Sequence, residues 1–232
     1  MKIKALTFDL DNTLIDFMKM KKLACDNAAR AMVKAGLKLN LNTAKKELLQ
    51  TYLKEGIEGN TAFEVFLKKY KSNTEKILAT ALNAYQASKI RNIGISYPDV
   101  KSTLKKLKKL GYKLAIVTDA PRLKAYQRLD AMGIVDLFDV IVGFEDTGKI
   151  KPSKYPFKKA LKLLKVNPEE TMHVGDFPDR DIKGAKSLGI KTVFASYGYM
   201  GVGKIVWADY KIKKFKDILE LLKDEKRFVV KK

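Results

Sequence analysis

Ile3-Lys4-Ala5-Leu6-Thr7-Phe8 runs directly into Asp9-Leu10-Asp11-Asn12-Thr13. The first six residues are mostly apolar and short, as in a strand buried on both faces of a sheet. The next five reverse that character. Two carboxylates at i and i+2, just past a buried strand, repel and raise one another's pKa unless a cation lies between them. A hard divalent ion with oxygen ligands relieves the repulsion, and magnesium is the usual choice where phosphate is also bound.

Four more apolar runs have the same form. Leu114-Ala115-Ile116-Val117 ends at Thr118, and Val140-Ile141-Val142 ends at Gly143. Met172-His173-Val174 ends at Gly175-Asp176, and Thr192-Val193-Phe194 is the last. Helical stripes precede three of them: Val100, Leu104 and Leu107; Phe157, Ala160, Leu161 and Leu164; Ile182, Ala185 and Leu188. Strand and helix in alternation predict an α/β fold with a doubly wound parallel sheet, which binds ligands at the carboxyl ends of its strands. The unusual polar residues fall there. Residues 206–212 predict an added edge strand, and Ile218 and Leu222 a short helix after it.

The alternation breaks once, between about residues 17 and 93, where only helical patterns occur. Ala24, Ala28, Ala31 and Ala35 make one stripe. Phe63, Phe66, Leu67 and Tyr70 make a second, and Ile77, Leu78, Ala81, Leu82 and Tyr85 a third. Gly36, Gly56, Gly59 and residues 40–42 punctuate them. Tyr97-Pro98-Asp99 then restarts the sheet pattern. The reading is therefore an α/β unit from residues 1–16 and 94–232, interrupted by a smaller all-helical unit at 17–93.

Acid accumulates at one sheet edge, because Gly175-Asp176 is followed by Asp179 and Asp181. Thr118 offers a hydroxyl and nearby N–H groups to a phosphate oxygen. Lys151-Pro152 lies before a helix, where an ammonium neutralises phosphate or carboxylate. This ordered set resembles the haloacid dehalogenase superfamily along essentially the whole chain. Its four motifs correspond to Asp9-Leu10-Asp11-Asn12-Thr13, Thr118, Lys151-Pro152 and Gly175-Asp176-Phe177-Pro178-Asp179-Arg180-Asp181.

The resemblance implies a Rossmann-like core with a helical cap inserted at 17–93, and a flap from Leu14 to about Met20. It implies that Asp9 is a nucleophile forming an aspartyl phosphate, and that Asp11 is the general acid and base. Mg²⁺ would be bound by Asp9, Asp176 and the backbone carbonyl of Asp11, with Asp181 a supporting acid nearby. Thr118 and the Asp119 N–H would hold the transferring phosphoryl group, and Lys151 would neutralise charge on it and on Asp9. The activity implied is hydrolysis of a small phosphate monoester. Asp11 argues against dehalogenation, since a halide leaving group needs no proton. Phosphomutase and phosphonatase chemistry on the same core stay open.

Other residues read as structural. His173, inside a strand, belongs to the interior, Cys25 to helix packing, and Trp207 to a core or an edge. Residues 54–60, with Gly56 and Gly59, suggest a loop of the helical unit that reaches over the site.

The bulk numbers fit this reading. At 232 residues, with 46% hydrophobic and 31% charged, the chain can bury a real core. No apolar run suits a membrane span, and no secretory signal is evident at the start, so with one cysteine a cytoplasmic location is expected. The formal charge of +21 is unusual. Its lysines spread along the whole chain, as at 101–109 and 158–165, without an arginine-rich arm, an RNA-binding aromatic signature or zinc-finger spacing. A solvated lysine-rich surface is therefore favoured over a nucleic-acid site, which the charge leaves open. A positive field would also draw in a phosphorylated metabolite. Oligomeric state and the particular substrate are not legible.

Overall fold

The computed structural model describes residues 2–55, 61–72, 74–204 and 206–229. The chain begins with β1 (Ala5–Phe8), followed by four helices: α1 (Phe17–Lys34), α2 (Leu41–Glu55), α3 (Ala62–Lys69) and α4 (Glu75–Arg91). Then come α5 (Val100–Lys109), β2 (Lys113–Val117), α6 (Arg122–Ala131) and β3 (Val140–Val142). The chain continues through α7 (Lys154–Leu164), β4 (Thr171–Gly175), α8 (Lys183–Lys186) and β5 (Lys191–Ala195). It closes with β6 (Tyr210–Ile212) and α9 (Ile218–Val229). Two compact units result: Met1–Phe17 with Gly94–Lys232, and Met18–Ile93.

The first unit holds a six-stranded sheet in the order β3-β2-β1-β4-β5-β6, with every neighbouring pair parallel. All four residues of β1 and all five of β4 are buried, as strands covered on both faces require. Side chains alternate between those faces. Ala5 packs with Leu164 of α7, whereas Phe8 meets the rings of Phe138 and Phe215 at centroid distances of 6.4 and 5.7 Å. On α7, Phe157, Ala160, Leu161 and Leu164 are buried at helical spacing, and the first three pack with Val117, Val142, Ala185 and Ile190. Gly184 allows α8 to lie close, because a Cβ there would meet the Phe157 ring at 2.6 Å.

The second unit has its own core. Ala24, Cys25, Ala28, Ala29 and Met32 of α1 pack with Leu48 and Tyr52 of α2, Phe63 and Phe66 of α3, and Ala81 and Tyr85 of α4. Of the expected stripe, Ala24 and Ala28 are buried, Ala31 is only half-buried, and Ala35, just past α1, packs half-buried against this core. Lys21 is buried in this unit and donates to the hydroxyls of Tyr52 and Tyr85, each at 3.1 Å. Burial pushes the Cys25 thiol up to about 12, as suits a packing residue.

Some details differ from the sequence reading. Of the edge strand expected at 206–212, only Tyr210–Ile212 forms. Trp207 is 83% exposed on the loop before it, neither core nor sheet edge. Phe17 to Met20, expected in a flap, form the first turn of α1. Residues 56–60 of the glycine-bearing loop lie outside the described residues.

Residues leaving and re-entering the sheet unit pair with one another. The Asp16 N–H donates to the Ile95 carbonyl at 3.0 Å, and the Tyr97 N–H to the Leu14 carbonyl at 3.1 Å.

Candidate active site

The strand order reverses direction between β1 and β4, and at such a point the carboxyl ends part to leave a crevice. Asp9 follows β1 and its N–H donates to the Val174 carbonyl at 2.9 Å, so the ladder with β4 carries on to the edge. Asp176 follows β4. Asn12 has φ of 59°, a left-handed turn that asparagine tolerates better than most residues, and it bends the chain back after Asp11.

The folded chain brings Asp9, Asp176 and Asp181 together, all buried, with one carboxylate oxygen of each within 4.8 Å of the others. Lys151 joins them. Its ammonium is 2.5 Å from Oδ1 of Asp9, 2.6 Å from Oδ1 of Asp181 and 3.1 Å from the Val117 carbonyl, which uses all three N–H donors. Asp181 accepts further bonds from the Phe177 N–H at 3.0 Å on Oδ2 and faces His173 at 3.4 Å on Oδ1. Gly175 makes room for this, because a Cβ there would come within 2.6 Å of Oδ2 of Asp181.

Burial dominates the electrostatics. It pushes Asp9 up to about 7 against the attraction of Lys151. It pushes Asp176 up to about 9, with the charges of Asp9 and Asp181 adding to the effect. Asp181 goes the other way: Lys151 and His173 outweigh its burial and hold it below the usual carboxylate range. Burial opposes the charge on Lys151, but Asp181, Asp9 and Asp119 overcome it and keep the ammonium protonated. Desolvation holds His173 below its ordinary value, against the opposing pull of Asp181.

In this cluster three carboxylates face one ammonium, so full ionisation leaves two negative charges uncompensated. Hard oxygen donors with that charge suit a divalent cation. Asp9 and Asp176 fit best, since the oxygens of Asp181 already serve Lys151, His173 and the Phe177 N–H.

The remaining expected site residues are more spread out. Thr118 is buried after β2, where its hydroxyl accepts the Ala120 N–H at 3.2 Å. The carboxylate of Asp119 accepts the Lys151 backbone N–H at 2.8 Å and so ties the two loops together. Asp11 turns to Arg128 of α6, whose Nη1 lies 2.5 Å from its Oδ2. Asp179 pairs with Lys183 at 3.2 Å, apart from the cluster.

Four contributors carry no site role in the sequence reading. The Thr13 hydroxyl lies 3.1 Å from Asp176 and 3.4 Å from Asp9, within reach of both. Tyr197 donates to the Thr13 carbonyl at 2.7 Å, and Gly198 lies so close to the Asn12 carbonyl that a Cβ would collide with it. Arg128 is the fourth. Thr13 had a signal, being the last residue of the aspartate motif; Arg128, Tyr197 and Gly198 had none.

A doubly wound parallel sheet with a buried acidic crevice at its switch point places this chain in the Rossmann-like class of α/β proteins. Residues 6–195 match the haloacid dehalogenase-like hydrolases, and the chain belongs to that family, within its phosphatase branch. It is 34% identical over 228 residues to the glyceraldehyde 3-phosphate phosphatase of Pyrococcus furiosus, covering 97% of this chain and 95% of that one. It is 37% identical over 194 residues to the protein of the same name from Methanopyrus kandleri, covering 82% and 83%. Among solved structures, a HAD phosphatase from Thermococcus onnurineus superposes with a TM-score of 0.65 at 28% identity, over 95% of this chain and 98% of that one.

Proposed function

We propose that the chain is a Mg²⁺-dependent phosphatase that hydrolyses a small phosphate monoester through an aspartyl phosphate on Asp9. One observation carries this reading: a buried carboxylate at the end of β1 is held by the Lys151 ammonium beside Asp176. The names of the relatives support a substrate of triose-phosphate size. They include the two glyceraldehyde 3-phosphate phosphatases and a phosphoglycolate phosphatase from Aquifex aeolicus at 29% identity. In this reading residues 1–16 and 94–232 are the catalytic core, and residues 17–93 are the cap that selects substrate. The protein acts in the cytoplasm.

Phosphoryl transfer needs charge neutralisation and in-line positioning above all. Mg²⁺ held by the carboxylates of Asp9 and Asp176 and the backbone carbonyl of Asp11 would offset charge on the phosphate oxygens. Asp9 attacks phosphorus, and the bond to the leaving alkoxide breaks as Asp11 gives that oxygen a proton. Asp11 then takes a proton from water as the water oxygen attacks phosphorus. Inorganic phosphate departs and the Asp9 carboxylate is restored. Thr118 and the Asp119 N–H orient the phosphoryl oxygens, and Lys151 offsets their charge.

The test is phosphate release from a panel of small phosphate esters, with Mg²⁺ or with chelator, by wild type and Asp9→Asn. The expected result is activity that needs Mg²⁺ and disappears in Asp9→Asn. Equal release by both proteins rules out Asp9 as nucleophile. Transfer between sugar positions in excess of phosphate release would indicate a mutase.

A further inference from the structure

Among the described residues, Lys151 is the cation that the cluster sets against Asp9, and a lysine rides on a flexible four-carbon stem. Something must hold it. Its three N–H donors are all engaged, and the partner that is neither backbone nor nucleophile is Asp181. The question moves to what fixes Asp181.

Asp181 faces His173, whose Nε2 lies 3.4 Å from Oδ1, the same oxygen that receives Lys151. His173 sits on β4 opposite Thr7 of β1 in the strand register. The Thr7 Oγ lies 2.9 Å from Nδ1. The Phe157 ring meets the imidazole edge-on, at 5.0 Å and 88°, and the histidine is fully buried. An ionised carboxylate offers only acceptors, so the Nε2 contact requires a proton on Nε2. A neutral ring then leaves a lone pair on Nδ1, to which the Thr7 hydroxyl at 2.9 Å can donate, and the Thr7 backbone lies within hydrogen-bond reach of the same imidazole. The roles are consistent from end to end: Thr7 to His173, His173 to Asp181, and Asp181 to the ammonium that holds Asp9.

We propose that His173, oriented by Thr7, is a positioning residue for the reaction, fixing Asp181 so that Lys151 stays aligned on Asp9. This rests on the reading of Asp9 as nucleophile. It assigns a role to a histidine that touches neither substrate nor metal. The alternative is a histidine that merely fills space between β4 and α7. The two differ in one respect: a positioning role needs the Nε2 donor, whereas packing needs only the volume.

The experiment uses the full chain with Mg²⁺ and an aryl phosphate. His173→Leu keeps apolar volume and loses the donor, His173→Gln returns an N–H near Nε2, and Thr7→Val removes the hydroxyl in the same shape. Misplacing a reacting group by about 1 Å can cost roughly 100-fold. The expected result is a kcat about 10- to 100-fold lower in His173→Leu, with KM changed far less. His173→Gln should recover most of the loss, and Thr7→Val should fall between. His173 is the single histidine of the chain, so long-range ¹H–¹⁵N spectra of the imidazole need no assignment. They should show a neutral ring protonated at Nε2. A proton on Nδ1, or wild-type kcat in a folded His173→Leu, overturns the proposal. If His173→Leu does not fold, Thr7→Val and the spectrum decide. Asp9→Asn, assayed alongside, separates the failures. A fully active Asp9→Asn removes the nucleophile reading, whereas a dead Asp9→Asn with an unimpaired His173→Leu removes only this inference.

Discussion

Arg128, in the last turn of α6, donates through Nη1 to Oδ2 of Asp11 at 2.5 Å, joining positions 117 apart in sequence. The guanidinium is almost wholly buried and lies 5.0 Å from the centre of the Phe17 ring. A planar cation held this way fixes the torsion of the carboxylate it meets.

Arg128→Met should therefore impair the proton transfer assigned to Asp11 more than it impairs phosphate binding. General acid catalysis contributes about 10²- to 10⁴-fold. Turnover of alkyl phosphates, whose leaving group needs a proton, should fall about 10- to 100-fold, and that of nitrophenyl phosphate much less. Comparing kcat across leaving groups checks this. Equal losses for both esters would assign the effect to folding.

The raised pKa values of Asp9 and Asp176 make the stability of the metal-free protein depend on pH. An unfolded aspartate titrates near 3.8, the folded Asp9 near about 7 and Asp176 near about 9. Between those values the folded state binds more protons, so these two groups lower stability as pH rises from about 4 to about 9. Asp181, whose pKa is depressed, works in the opposite sense only in the acid range below that. Melting curves in chelator should show a decline with pH that is shallower in Asp176→Asn. Added Mg²⁺ should raise the melting temperature more at pH near 8 than near 5.

Gly175→Ala puts a Cβ into the side chain of Asp181. Overpacking of this kind typically costs about 1–3 kcal/mol, and here it also displaces the residue that holds Lys151. Activity should fall at least about 100-fold while far-UV circular dichroism stays that of a folded protein. Gly198→Ala, which pushes on the Asn12 carbonyl, should act on the Asp9–Thr13 loop in a similar way.

Lys151→Arg keeps the charge and should still fail. A compact ammonium gives three donors to three acceptors here, and a planar fork cannot reproduce that geometry in a buried space. A loss of at least about 100-fold in kcat is expected. Near-wild-type turnover would mean that charge alone suffices.

What could be read beforehand divides along a physical line. Strands buried on both faces are continuous apolar runs, so β1 to β5 were legible within a residue or two. The carboxylates after β1 and β4 stood out because charge there opposes its surroundings. Arg128 was not legible: it is one basic residue among 47, and only the packing of α6 turns it toward Asp11. Gly198 was equally silent, since its need for a bare Cα arises from a loop 186 positions earlier that folds onto it. His173 was read as interior, correctly by burial, but its bonds depend on Thr7 standing opposite it in the register. The loop that exposes Trp207 offered no periodicity to read.

The paired segments at Asp16–Ile95 and Leu14–Tyr97 have a consequence for engineering. Four helices are spliced into the sheet unit through ends that already touch, so the intervening stretch can vary in length without moving the strands. A short bridge joining position 16 to position 95 should therefore close the chain with the sheet order intact, and circular dichroism of the shortened protein checks this. The sheet unit is built like a socket whose helical insert enters and leaves through one paired seam.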